Sequence, residues 1–217
     1  MVLKFCFEQN WVQESSDHAL EVYLETCNFH TTHKGVLHRL DHIHFHSPSE
    51  HTLEGEHFDA EAHLVNRDAE GSLLVLSVLL KVSDVPNNLF LDQLWTAGGD
   101  NIRTGEKTHA TCAAGINPFR TLVPSEHAHF AYTGSLTTPN CDSNIKWMVF
   151  NSPMQISAYD LELLRAASRA RRDTIVSENG NNNRPVLDRN GRTVKLVTAA
   201  VSQHLATTGR YVRTGYA

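Results

Sequence analysis

The chain has 217 residues, 41% hydrophobic and 20% charged, with 19 Lys and Arg against 24 Asp and Glu. That length allows a sizeable buried core, and the formal charge of −5 argues against a nucleic-acid partner, which calls for a basic face. No apolar run approaches the ~18 residues of a membrane span, and Met1-Val2-Leu3-Lys4-Phe5 lacks the basic and apolar regions of a signal peptide.

In chain order, alternating apolar and polar residues predict strands over Ala19–Leu24, Val36–His46, Phe58–Val65 and Ser72–Val82. Turn signals separate them: His33-Lys34-Gly35, Ser47-Pro48-Ser49, Glu54-Gly55-Glu56 and Asp68-Ala69-Glu70-Gly71. Strands at such short spacing, with no helix between them, predict antiparallel neighbours. Between Asp84 and Glu106, Leu89, Leu91 and Leu94 stand near helical spacing ahead of Gly98-Gly99, which predicts a short helix. Ser157–Arg171 is the strongest helix signal, with Ser157 as N-cap and Arg169, Arg171 and Arg172 at the end that favours cations. Glu178–Arg184 reads as an Asn/Gly loop. Without repeats or low-complexity linkers, residues 1–217 read as one mainly β (α+β) domain: a large, mostly antiparallel central sheet with a few peripheral helices.

Cys6, Cys27, Cys112 and Cys141 lie far apart with no C-x-x-C, so a structural zinc ribbon is not indicated. Histidine is the outlier, with 14 residues, and His38, His42, His44, His46, His51, His57 and His63 crowd one stretch. In His44-Phe45-His46 the two imidazoles share a strand face, with Cβ atoms about 6.6 Å apart. His63 on the next strand can face them across about 4.5–5.5 Å. Three neutral imidazoles leave a divalent ion its full charge and an open fourth position, the pattern of a catalytic rather than a structural zinc site. Glu61 shares the face of His63 and can accept its second N–H. His42 shares the face of His44 as a further outer group, whereas His38, His51 and His57 read as bystanders, the last two solvated beside turns. The bland alternative is that such strand histidines are merely half-buried polar residues.

The runs His42-Ile43-His44-Phe45-His46-Ser47-Pro48-Ser49-Glu50-His51-Thr52 and Glu61-Ala62-His63-Leu64-Val65 are similar to the zinc signature of α-class carbonic anhydrases in their shorter microbial and plant form. Tyr132-Thr133-Gly134-Ser135-Leu136-Thr137-Thr138-Pro139 with Trp147, and Asn183-Arg184-Pro185-Val186 before Asn190-Gly191-Arg192, resemble the family's later signatures. The likeness runs from about Asp17 to Arg192 and leaves 193–217 as an extension of unassigned role. It implies a zinc lyase (Zn2+ on His44, His46 and His63) that interconverts carbon dioxide and bicarbonate by zinc-bound hydroxide and is sensitive to sulfonamides. Thr137 and Glu50 would orient that hydroxide, since Glu50 as a carboxylate can only accept. Val65, Val75, Leu136, Thr138, Ile145 and Trp147 match the substrate pocket, although periodicity alone would place the apolar ones in the core. His18 matches the proton shuttle, a role suited to a base that titrates near neutrality.

The likeness also shows departures. The family's N-terminal segment, with a Gly-Pro-x-x-Trp motif, finds no match, and the cysteine matching Cys141 pairs with that segment in secreted members. Glu21 stands where Asn is usual, and Asn66 where another His often ends the strand. The resemblance favours a secreted, periplasmic or organelle-lumen setting. A small-molecule substrate is the implied partner; oligomeric state is not legible. Two other readings compete: a family-like binding or assembly module with weakened catalysis, and a cupin. The cupin pattern His44, His46, Glu50 with Gly55 fails where His38 stands in place of glycine.

Overall fold

The computed structural model describes residues 19–24, 28–84, 88–104, 108–109, 117–170, 176–198 and 212–213. Its elements are β1 (Glu21–Tyr23), β2 (His30–His33), β3 (Val36–His46), β4 (Thr52–Leu53), β5 (Glu56–His57), β6 (Ala60–Arg67) and β7 (Leu73–Val82), then α1 (Leu89–Thr104), β8 (Thr108–His109), α2 (Pro118–Thr121), β9 (His129–Ser135), β10 (Ser143–Phe150), β11 (Met154–Ile156), α3 (Ala158–Ala170), β12 (Lys195–Val197) and β13 (Val212–Arg213). The predicted strand over Val36–His46 is found with those bounds, while the one predicted over Phe58–Val65 begins and ends two residues later. At the β2–β3 hairpin both Lys34 (φ 50) and Gly35 (φ 80) adopt left-handed backbone, the conformation a two-residue turn needs to match strand twist.

Most strands join one eleven-stranded sheet whose main path runs β12-β9-β10-β7-β6-β3-β1-β8. The expectation of antiparallel neighbours holds from β3 through β6 to β7 and between β9 and β10. It fails at β7, which pairs in parallel with both β10 and β11, and at β1, which pairs in parallel with β8. The sheet is therefore mixed. The chain leaves β7 through α1 and returns to the same edge much later, and a parallel pair requires such a long crossover. Local strand spacing carries no trace of that return.

One face of the sheet carries the main core. Ile43, Phe45, Leu64, Leu76, Val78 and Met148 pack there against Phe90, Leu91 and Leu94 of α1 and Leu161, Leu164 and Ala167 of α3. The helices are locked by Asp160, which is fully buried. Its Oδ2 accepts from Ser157 N at 3.0 Å and Ser157 Oγ at 2.8 Å, and its Oδ1 from Trp95 Nε1 of α1 at 2.9 Å. Ser157 Oγ in turn accepts from Asp160 N at 3.0 Å, so the predicted N-cap is present as a reciprocal box. With one face filled by helices, the other is left for polar chemistry.

Candidate metal centre

Register across three strands builds the site. His44 lies opposite His63 and His46 opposite Glu61 on β3 and β6, and His63 lies opposite Ser77 on β7. Opposed residues project from the same face, so these side chains gather on the side away from the helices. The rings of His44, His46 and His63 stand 5.1, 5.0 and 4.8 Å apart, centroid to centroid. One nitrogen from each lies within 4.8 Å of the others.

The hydrogen bonds decide which nitrogen faces inward. His63 Nε2 lies 2.7 Å from Glu61 Oε1; a carboxylate only accepts, so Nε2 carries the proton and Nδ1 keeps its lone pair. That Nδ1 stands 3.1 Å from His44 Nε2. Tetrahedral nitrogens 2.0–2.1 Å from a shared zinc would be about 3.3–3.4 Å apart. Likewise, His46 Nδ1 donates to the Asn182 carbonyl at 3.2 Å, leaving Nε2 as its basic nitrogen. Three neutral imidazoles with convergent lone pairs and no carboxylate among them are a donor set that suits zinc with one position open.

Glu61 organises the surroundings. Its Oε1 accepts from His63, from His51 Nδ1 at 2.6 Å and from Ser77 Oγ at 2.6 Å, while Oε2 accepts the backbone N–H groups of Glu50 and His51 at 2.8 Å each. Burial works to raise its pKa, but the charges and hydrogen bonds of His51 and His63 hold it well below the usual carboxylate range. His51 shows the reverse balance: burial lowers its pKa, the Glu61 carboxylate raises it, and the rise prevails. The expectation of a solvated His51 is thus overturned, since its other nitrogen lies 2.6 Å from the Tyr132 hydroxyl. The cause is a strand register that turns Glu61 inward beneath the loop after β3. His57 is exposed, with Nδ1 2.7 Å from the Ser49 carbonyl. His38 is fully buried, with Nδ1 3.1 Å from the Val36 carbonyl.

Other expected residues assemble as follows. His42 stacks on His44 (centroids 5.1 Å apart) and bonds Asp41 at 2.8 Å. Thr137 hydrogen-bonds the Glu50 carboxyl group, whose Oε1 also accepts Arg184 N at 2.8 Å; burial raises the pKa of Glu50. Val65, Val75, Ile145 and Trp147 form a small apolar cluster of their own, separate from the helix-side core, with Leu136 and Tyr132 against it. Thr138 lies in the same loop as Thr137 and accepts Cys141 N at 2.8 Å through its carbonyl. Glu21, opposite His44, accepts from the Tyr23 hydroxyl at 2.7 Å. His18 falls outside the described residues. Cys141 is disulfide-bonded, and the other cysteines, Cys6, Cys27 and Cys112, all lie outside the described residues. Sequence reasoning missed Ser77, Asn182 and the half-buried role of His51 beside Glu61, none of which carries a signal before the fold brings them together.

The sequence profile described as eukaryotic-type carbonic anhydrase matches residues 6–198. The chain belongs to that family. It is 29% identical over 181 residues to a carbonic anhydrase of Klebsiella pneumoniae, covering 83% of this chain and 67% of that one. It is 32% identical over 167 residues to dioscorin dioA3 of Dioscorea japonica, covering 73% and 54%. Among solved structures, the α-carbonic anhydrase of Thermovibrio ammonificans, in complex with the inhibitor sulfanilamide, superposes with a TM-score of 0.67 at 32% identity, covering 82% of this chain and 71% of that one. The chain spans from 28% to 67% of the length of such curated relatives.

Proposed function

We propose that this chain is a zinc-dependent carbonic anhydrase that hydrates carbon dioxide reversibly to bicarbonate and a proton. The observation that carries the reading is the convergence of the inward nitrogens of His44, His46 and His63, with Glu61 and the Asn182 carbonyl holding two of the rings in the ligating tautomer. When bound, zinc lowers the pKa of its water to about 7, carbonic anhydrase being the standing example of this effect. The chain's own residues do the rest. The Thr137 hydroxyl donates to Glu50, so it can only accept from an O–H group on the metal side, which orients the nucleophile's lone pair. Val65, Val75, Ile145 and Trp147 with Leu136 offer an apolar wall suited to uncharged carbon dioxide, and Thr138 closes the loop beside it. His18 exports the proton.

We extend to this chain the sulfonamide sensitivity implied by the Thermovibrio complex. Among the described residues no helix is long and apolar enough to cross a membrane. The similarity to a dioscorin keeps a second reading in play, a binding module on the same scaffold. Zinc analysis with stopped-flow hydration separates the two. One zinc per chain, rapid hydration blocked by a sulfonamide, and loss of both metal and activity in His63→Ala are expected. A zinc-loaded protein with no hydration would leave only the binding module standing.

A further inference from the structure

A cavity of 430 Å³ borders the Thr137–Glu50 pair, and none of His44, His46 and His63 lines it. The volume lies within the ~300–1,000 Å³ range of small-molecule sites. Its lining combines the cations Arg184, Arg189 and Arg192 with the apolar Leu53, Phe130 and Val186.

Several observations bear on what it takes. Arg184 Nη1 is buried and has no hydrogen-bond partner among the described residues. Its backbone is pinned by the 2.8 Å bond to Glu50, so the guanidinium departs from a fixed point. Arg192 is held by two of its own nitrogens, Nε to the Arg189 carbonyl at 3.0 Å and Nη2 to the Asp188 carbonyl at 2.6 Å. It stands close enough for its positive charge to act on both Arg184 and Tyr132. Arg192 thus adds positive charge near the partly desolvated Arg184, and an anion lying between the two guanidinium groups relieves that repulsion. Glu50 offsets the Arg184 charge by more than Arg192 opposes it, yet Arg184 Nη1 remains unbonded among the described residues, and Glu54 is exposed on a turn. Val186 leaves 53% of its surface exposed at the mouth, an apolar contact that an inorganic anion would not use.

We propose that this cavity binds a small organic carboxylate with an apolar body, its carboxylate on Arg184 and Arg192 and its body against Leu53, Phe130 and Val186. Planar guanidinium groups grip carboxylates in two-point fashion, and the apolar wall selects against bare anions.

The test is a calorimetric titration of phenylacetate, with acetate as control, into the full chain saturated with zinc and a sulfonamide, so that no carboxylate can compete at the metal. Saturable binding of phenylacetate at least tenfold tighter than acetate, unchanged by the sulfonamide, is expected. It should weaken at least tenfold in Arg184→Gln and in Val186→Glu, the latter an exposed position that leaves the fold intact. No saturable binding, displacement by the sulfonamide, equal affinity for acetate, or wild-type affinity in Val186→Glu would each overturn the assignment.

Discussion

Glu61 does the most at the scale of single residues. It accepts five hydrogen-bond donors, two of them histidine rings, and it alone sets the tautomer of His63. Glu61→Gln keeps the shape but places an amide where three side-chain donors converge, and one N–H must then face another. Zinc affinity should fall by about 10–100-fold, as for other partners behind a metal-bound imidazole, with the fold retained; competition with a colorimetric chelator measures it. Thr137 bears on the proposed hydration step rather than on metal binding. Thr137→Ala should hold zinc at wild-type affinity yet lose hydration by about 10²–10³-fold, the usual effect of one preorganised hydrogen bond. A stopped-flow rate equal to wild type would remove the Thr137–Glu50 pair from the mechanism.

Between elements, the stress falls where α3 meets α1. Asp160 is fully buried and sits in the first turn of α3, where its charge suits the helix dipole. It caps α3 through Ser157 and reaches across to Trp95 of α1. Asp160→Ala strands these donors in the interior, and each buried donor left unpaired costs about 1–3 kcal/mol. A destabilisation of about 3 kcal/mol is expected, together with a clear fall in thermal midpoint by calorimetry. Zinc affinity should be unchanged once folded, because these helices lie on the face opposite the histidines. Gly134 is the matching constraint on the site face. A Cβ there would lie 2.7 Å from Tyr132 Cε2 and 3.3 Å from Trp147 Cδ1, so only glycine lets β9 carry Tyr132 past Trp147 to His51.

Acid sensitivity belongs to the whole molecule, because it sums groups spread over several strands. Burial lowers the pKa of His33 to about 4, and burial likewise lowers His30 and His127. A base with a depressed folded pKa binds more protons when unfolded, so its contribution is present above the unfolded value of 6.5 and lost as pH falls through the folded one. The metal-free protein should therefore show a falling urea midpoint between about pH 6.5 and 4, and His33→Gln should flatten that slope. Glu61, with its depressed carboxyl, adds a separate loss below its unfolded value of 4.5.

Periodicity and residue chemistry alone mark the elements whose signals are local. Alternation marked β3 and β7, and Ser157 marked the start of α3, because strands and helices write their period and caps locally. His44 and His46 shared a face for the same reason, and Glu61 with His63 likewise. Tertiary structure decided everything that depends on which strands become neighbours. It set β10 parallel to β7, which brought Trp147 beside Val75, and β9 antiparallel to β10, which put Tyr132 beside Trp147 in the same row. It also turned His51 from a loop residue into a partner of Glu61 and brought the Asn182 carbonyl to His46 across 136 positions of chain. The physical reason is the same in each case. A hydrogen bond or apolar contact forms between groups that the fold brings together, and no local pattern records a contact made by a crossover or by a loop returning from a distant part of the chain.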